Sequence, residues 1–304
     1  MNAITATAAD IPETPTRGLW ADAWRRVFRN RLALFMSLIV LLYVLVALFV
    51  AFGWLANDWD QSVGGSYEPP STTNMLGTDI FGLSVLRKTL YGTKISMTVA
   101  LVAALISLAI GVPLGAMAGY FRGIVDEIIV WIYSTLSSIP GLLLVMAFAF
   151  VLKDKSLFGQ PLRGITVVYL ALGLTSWVGI CRLIRGEVIK HKQRDYVAAA
   201  RAYGCPRWRI ILLHLIPNVS HLILIDFSLR FVGFIHAEVI LSFLGLGVKD
   251  EPSWGVMIDD ARLELSRDVW WQMAAATAAI FVVSLALNIV SDALRDALDP
   301  KLRE

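Results

Sequence analysis

The chain has 304 residues, 57% of them hydrophobic and 17% charged, with a mean hydropathy of +0.66. Soluble domains carry about 25% charged residues, so this composition is typical of a protein embedded in lipid and excludes a secreted disulfide scaffold, a disordered tail and an ordinary cytosolic enzyme. The net charge of +3 is expected for basic loops on the inner face of a membrane and implies no nucleic-acid partner.

Residues 1–31 are predicted to form a cytoplasmic tail. Apolar residues fall at helical spacing between Trp20 and Phe28, which predicts an amphipathic helix lying on the inner membrane surface. Four arginines lie immediately before the first apolar stretch and favour retention of this end in the cytoplasm, namely Arg25, Arg26, Arg29 and Arg31. The apolar stretch after them is too long for the core of a cleaved signal peptide.

A helix needs roughly 20 mostly apolar residues to cross the hydrocarbon layer of a bilayer. Six stretches meet this requirement and predict an all-α integral membrane protein whose transmembrane domain covers residues 32–293. They are Leu32–Ala56, Ile95–Ala118, Ile128–Leu152, Ile165–Ile180, Asn218–Leu241 and Trp270–Ala293.

Small residues and prolines inside these spans carry further predictions. Gly111, Gly115 and Gly119 recur every four residues, a spacing that lets two helix backbones approach closely in lipid. Pro113 and Pro140 are expected to kink their helices.

The distribution of basic residues predicts that both chain ends lie inside. Of the 27 Lys and Arg residues, 17 fall in the segments assigned to the cytoplasm and nine in those assigned outside. This bias follows the positive-inside rule. It places the loop 182–217 and the tail 294–304 in the cytoplasm and the loop Gly245–Asp268 outside, where Ser253 is predicted to begin a surface helix.

Three charged residues lie within the predicted fifth span. Asp226 and Arg230 are four residues apart, the favourable order for a helical ion pair, and Glu238 lies two turns further on. Charges in spans often mark a path for ions or substrate. The residues are therefore pathway candidates, either as a neutralised pair facing the bundle interior or as a polar wall of a translocation cavity.

Catalytic and metal-binding motifs are missing from the sequence. There is no phosphate loop, so the chain is not expected to hydrolyse ATP by itself, and no nucleophile–base motif suggests an enzyme. The four histidines are scattered, and two cysteines are too few for a disulfide framework or a thiolate metal site. No metal site is predicted.

The most informative loop segment is the basic stretch 182–217. Within it, Asp195–Gly204 reads as a short helix with Asp195 as its N-cap. Gly204, followed by Pro206, is a stop signal and is expected to adopt a positive φ. A second amphipathic piece, Trp208–Ile216, leads to Pro217 at the start of the fifth span.

Several of these segments resemble one family in order and position. The run Ala199–Gly204, with Pro217 further on, resembles the EAA loop of ABC importer membrane subunits. Leu76–Gly82 resembles the segment that precedes the second span in dipeptide, oligopeptide and nickel permeases. Three further segments resemble the C-type subunit of that group, namely Leu241–Gly247, Ser253–Gly255 and Leu294–Pro300. The chain departs from the family at Ala198, where the family usually has Glu, and at Leu83 and Ser84, which replace Arg and Asp.

The resemblance implies a permease subunit of an ABC importer in the bacterial cytoplasmic membrane. Its partners would be a homologous second permease, two cytoplasmic ATPase subunits and an extracytoplasmic substrate-binding protein. The chain would bind no cofactor itself, since ATP and Mg belong to the ATPases. Di- or oligopeptides would be the cargo. Residues implied in coupling to the ATPases are Ala199, Ala200, Arg201, Gly204 and Pro217.

Other functions remain open from the sequence alone. The importer could carry nickel or another solute, although no Met, His and Cys cluster favours nickel. A gradient-driven secondary transporter would be expected to show inverted repeats and ion ligands at broken helices, and an intramembrane enzyme would need a nucleophile with its base. Purification with or without an ATPase subunit distinguishes the importer from both.

Overall fold

The computed structural model describes residues 30–298 apart from positions 154, 158, 163, 249 and 250. The predicted amphipathic helix, the rest of the tail 1–29 and residues 299–304 lie outside the described residues. Within the described ranges the chain is helical, except for loops and a hairpin of two-residue strands, β1 (Ser156–Leu157) and β2 (Gln160–Pro161).

The helices are numbered here in chain order. They are α1 (Arg31–Ala51), α2 (Val85–Phe121), α3 (Ile124–Ser137), α4 (Gly141–Leu152), α5 (Ile165–Thr175), α6 (Val178–His191), α7 (Asp195–Ala202), α8 (Arg207–Ile210), α9 (Ile216–Phe243), α10 (Trp254–Glu264) and α11 (Trp271–Leu298). A π-helical turn (Ile211–Leu215) joins α8 to α9, and a 3-10 turn (Leu265–Arg267) follows α10.

Five helical stretches of the described chain are long and apolar enough to cross a membrane, which confirms the all-α membrane architecture. They are Arg31–Ala51, Val85–Phe121, Ile165–His191, Arg207–Phe243 and Trp271–Ala297. The pair α3 and α4 would make a sixth span, but it is bent by 93°. The third predicted span, Ile128–Leu152, is therefore broken rather than kinked. Pro140 explains the break, because proline lacks the N–H that a continuing helix needs and keeps the preceding residue out of the helical region.

The bounds of other predicted spans need correction as well. The first helix ends at Ala51 instead of Ala56, because Gly53 takes a φ of +73° that a helix cannot include. The fourth span is interrupted at Ser176 and then continues to His191. By contrast, α2 continues through Pro113 without interruption.

The helices α2 and α6 approach each other along the predicted glycine stripe. A Cβ on Gly111, Gly115 or Gly119 would lie 2.7, 2.5 or 2.8 Å from the carbonyl oxygens of Trp177, Cys181 and Arg185 respectively. No side chain fits in that space, so the glycines allow backbone-to-backbone packing. This confirms the prediction from their spacing.

The loop before α2 is held by the segment Leu76–Gly82. The Thr78 hydroxyl donates to the Gly65 carbonyl (2.7 Å), and Asp79 accepts backbone N–H bonds from Phe81 and Leu83 (both 2.9 Å). Asp79 also forms a buried ion pair with Lys88 of α2, at 2.8 Å. The motif thus fixes the loop onto the first turns of α2, where Ser84 serves as the N-cap.

The predicted surface helix after Ser253 is instead packed into the bundle as α10. Ser253 is its N-cap, as expected, and accepts from the N–H of Val256 (3.2 Å). The first residue, Trp254, is fully buried and donates to the Thr89 carbonyl (3.1 Å). A Cβ on Gly92 would lie 2.9 Å from the Trp254 ring, so this glycine makes room for the indole.

Candidate functional site

The Asp226–Arg230 pair of α9 lies inside the bundle. The two side chains form a salt bridge and are 17% and 19% exposed. Arg230 also donates from Nη1 to the Ser176 carbonyl, 2.7 Å away, at the break between α5 and α6. A Cβ on Gly179 would lie 2.6 Å from Nη2 of Arg230, so a side chain at this position would require the guanidinium to shift.

Arg230 of this ion pair borders a pocket of about 340 Å³ where two broken helices meet. The pocket is lined by Gly141 at the start of α4, Ser176 after α5, and Arg230 with Gly233 on α9. Non-helical backbone within a membrane is tolerated where it is buried in protein or lines a water-filled cavity. The arrangement therefore places the Arg230 guanidinium and the Ser176 carbonyl that it contacts among apolar helices.

Glu238 lies apart from that pocket. It is fully buried, and its carboxylate accepts hydrogen bonds from Ser96 on α2 (3.1 Å), Ser242 on α9 (2.8 Å) and Ser253 (2.6 Å). The sequence grouped this residue with Asp226 and Arg230 as a pathway candidate. The structure does not bring it together with them, because its carboxylate is bonded to three hydroxyls that tie α10 to α2 and α9.

A second charged cluster lies where the start of α2 meets α10. Lys88 is bonded to Asp79, and its Nζ is 4.0 Å from Asp260 on α10. Burial raises the pKa of Asp260, while the charge of Lys88 opposes that rise. Burial likewise raises the pKa of Glu264, one turn further along α10. The sequence analysis did not single out this cluster, although a lysine at the start of an apolar span was a usable signal.

The short helix predicted within Asp195–Gly204 is present as α7, and its end has the expected geometry. Gly204 has a φ of +74° and donates its N–H to the Arg201 carbonyl (2.9 Å). The N–H of Cys205 donates to the Ala200 carbonyl (3.0 Å). These two bonds form a Schellman motif, which satisfies the last carbonyls of the helix. Asp195, predicted as the N-cap, is instead the first helical residue after Arg194.

The alanines of α7 divide between two faces. Ala200 is buried with Val197 in a cluster formed with α2, α6 and the start of α9. Ala199 is exposed, and so is Tyr203, which is 88% exposed. Ala200, one of the predicted coupling residues, therefore faces the permease itself, whereas Ala199 does not. The sequence did not show which alanine is buried, because most residues of this helix are small.

The remaining two coupling residues lie on either side of this cluster. Arg201 turns back toward the end of α2, where its guanidinium is 5.6 Å from the centre of the Tyr120 ring. Pro217 is an exposed residue in the first turn of α9. The predicted amphipathic piece Trp208–Ile216 is continuous with α9 through the π-helical turn. Pro217, which has no N–H for an ordinary helical bond, lies shortly after this turn.

Within the described ranges, no group of three His, Cys, Asp or Glu residues could hold a metal ion. The polar groups that the sequence did not indicate include the Ser96 hydroxyl, which donates to Glu238, and the Ser176 carbonyl, which accepts from Arg230. Isolated serines are common in membrane helices, and only the fold shows which charge each one meets.

The sequence matches two family descriptions. Residues 111–304 match the binding-protein-dependent transport system inner membrane component, and residues 18–70 match the N-terminal TM domain of oligopeptide transport permease C.

Similar curated proteins span nearly the whole chain. The dipeptide transport system permease protein DppC of Bacillus subtilis (strain 168) is 36% identical over 296 residues, covering 97% of this chain and 90% of that protein. The oligopeptide transport system permease protein OppC of Haemophilus influenzae is 36% identical and covers 94% and 90%. The glutathione transport system permease protein GsiD of Pectobacterium atrosepticum is 33% identical and covers 99% and 97%.

Solved structures share the fold at low sequence identity. A chain of the MetNI methionine ABC transporter superposes with a TM-score of 0.53 at 14% identity, over 69% of this chain and 96% of that one. A chain of an amino acid ABC transporter superposes with a TM-score of 0.52 at 16% identity, over 68% and 92%.

Proposed function

Because this chain belongs to the family of binding-protein-dependent transport system inner membrane components, and is thus a permease subunit of an ABC importer in the inner membrane, we propose that α7 is the element through which partner ATPases drive it. Residues 32–293 would form the permease domain, with 182–217 as its coupling loop and residues 1–31 and 294–304 as cytoplasmic tails. The partners would be a homologous second permease, two ATPases that hold ATP and Mg, and an extracytoplasmic binding protein.

The exposed face of α7 is the observation that carries this proposal. The helix is short, closed by the Schellman motif at Gly204, and anchored by Val197 and Ala200. Its opposite side presents Ala199 and Tyr203 to the outside. A helix held on one side by buried residues and exposed on the other can receive a partner and pass on its motion. With Ala198 in place of the family Glu, this contact would depend on shape more than on a salt bridge.

The helices that pack against α7 indicate how its motion would reach the rest of the permease. Its buried residues pack with Ile184 and Val188 of α6 and with Ile211 and Leu215 before α9. Displacement of α7 would therefore move α6 and α9, which meet again at the Arg230–Ser176 bond. Tilting of helices as rigid units is a known way to switch access. The pocket at Asp226 and Arg230 is accordingly the proposed pathway site.

Both chain ends are proposed to lie in the cytoplasm, supported by the 17-to-9 distribution of basic residues.

The cargo is proposed to be a peptide, because the similar proteins are named for dipeptide, oligopeptide and glutathione transport, and glutathione is itself a tripeptide. Nothing in the described pocket favours nickel, since its lining includes no His, Cys or Met.

Adjacent alanines offer a matched test of the coupling helix. Ala199→Trp places a bulky side chain on the exposed face and is expected to abolish recruitment of the ATPases while leaving the thermal unfolding temperature of the permease unchanged. Ala200→Trp places the same group in the core and is expected to lower that temperature, since overpacking costs about 1–3 kcal/mol.

The assay compares co-purification of the ATPases with the unfolding temperature for both variants. If Ala199→Trp recruits the ATPases and supports transport at the wild-type level, α7 is a solvated helix and the coupling proposal is wrong.

A further inference from the structure

A basic pocket lies between the end of α2, the end of α6 and the start of α8. It measures about 420 Å³ and is lined by Tyr120, Phe121, Lys192, Arg201, Cys205, Arg207 and Ile210. Three of these residues are cationic, and Arg122 follows directly at the end of α2. None of the four cations forms a salt bridge with a carboxylate in the part of the chain that the structure describes.

The cations are oriented by an aromatic side chain and a helix end. Lys192 donates from Nζ to the Tyr120 carbonyl (2.5 Å), one of the last carbonyls of α2, and lies 5.2 Å from the Tyr120 ring centre. Arg201 lies over the same ring at 5.6 Å. Burial lowers the pKa of Lys192, and the charges of Arg122, Arg201 and Arg207 lower it further. Like charges held together without a carboxylate are stabilised by binding an anion.

The surroundings indicate where that anion comes from. Tyr120 and Phe121 end an apolar span, the depth at which aromatic residues mark the membrane–water interface. The Phe121 ring contacts Trp208, with ring centres 5.4 Å apart. Along the same continuous helix, Leu212 and Leu213 are both 59% exposed. A basic pocket beside exposed apolar residues matches a molecule with a phosphate headgroup and acyl chains.

We propose that this pocket binds the phosphate of an anionic phospholipid from the inner leaflet. The proposal rests on the cytoplasmic placement of the loop 182–217 argued above. Basic pockets between helices on the cytoplasmic side suit such headgroups. The bound lipid would bridge α2 to α7 and α8, and would therefore hold the coupling loop at a fixed depth.

The test uses the assembled importer in phosphatidylcholine nanodiscs containing a minority of phosphatidylglycerol, with bound lipid measured by native mass spectrometry. Lys192→Gln combined with Arg207→Gln is expected to lower the affinity for phosphatidylglycerol about 30-fold, at about 1 kcal/mol per basic residue near the surface. Arg194→Gln combined with Arg209→Gln removes the same charge from exposed positions of the same loop that do not line the pocket. This control is expected to lower the affinity about threefold or less, because salt screens distant charges.

If the first double variant fails to fold, Arg207→Gln alone is expected to lower the affinity about fivefold. Equal losses in the two double variants, or no loss in either, would overturn the proposal. The proposal is also overturned if inorganic phosphate displaces the lipid with an affinity equal to that of phosphatidylglycerol. In that case free phosphate is the ligand. Loss of ATPase recruitment with unchanged lipid binding would assign the pocket to a protein carboxylate. Because lipid binding is measured directly, failed transport with intact lipid binding would count against the coupling role of α7 alone.

Discussion

Gly204 ends α7 with a left-handed backbone conformation. The need for glycine at this position arises from that conformation and not from close packing. A Cβ on Gly204 would meet nothing within 4 Å, so a side chain there is resisted by its φ of +74° alone. A left-handed residue with a β-carbon costs roughly 1–2 kcal/mol. The requirement at this position is therefore conformational, and the sequence could predict it from the glycine and the following proline.

Gly204→Val is expected to loosen α7 and to weaken ATPase recruitment, because the Schellman bonds at Arg201 and Ala200 depend on the positive φ. Gly204→Asn is the control, since asparagine tolerates this conformation. Limited proteolysis of the loop and ATPase co-purification measure the two effects. Equal behaviour of the variants would show that the loop does not depend on this backbone.

Glu238 is a second residue whose role was visible only in the fold. Glu238→Leu would leave the hydroxyls of Ser242 and Ser253 without their acceptor, and each orphaned buried group costs about 1–3 kcal/mol. We expect a clear fall in unfolding temperature and faster labelling of a cysteine placed on α10. Glu238→Gln keeps an acceptor oxygen and is expected to lie close to wild type. If the leucine variant is as stable as wild type, the carboxylate is not what joins these three helices.

At the scale of elements, the glycine stripe shows how well a four-residue spacing predicts helix contact. Gly115→Val is expected to lower the unfolding temperature, because its Cβ would lie 2.5 Å from the Cys181 carbonyl and force α2 from α6. Gly186→Ala on α6 is the matched control, since its Cβ would meet nothing within 4 Å. Thermal unfolding in detergent measures both. A stable Gly115→Val variant would mean that these helices can separate without cost.

The helix breaks were harder to predict than the contacts. Pro140 indicated a kink, but the 93° bend and its position opposite Arg230 depend on packing between α4 and α5. No proline in the sequence indicates the interruption at Ser176. Its carbonyl is free to accept from Arg230, a contact between residues 54 positions apart that local sequence patterns cannot encode. Hydropathy thus located the spans, whereas the contact between Arg230 and the Ser176 carbonyl could be found only from the tertiary structure.

At the scale of the whole molecule, the proposed orientation places α7 and α10 on opposite sides of the membrane. Cysteines at Tyr203, 88% exposed, and at Leu263, 71% exposed, are expected to react with an impermeant reagent from opposite faces of sealed vesicles. Cys205, which is partly exposed, is first replaced by serine. Labelling of both positions from the same side would refute the orientation.

The central claim is that ATP hydrolysis by partner subunits, received through α7, drives import through this permease. Uptake of a labelled oligopeptide into proteoliposomes containing the assembled importer and its loaded binding protein tests it most directly. The account predicts uptake only when ATP is supplied on the face that carries α7, and none for the Ala199→Trp variant under the same conditions. Uptake driven by an ion gradient without ATP would contradict the account and would make this protein a secondary transporter.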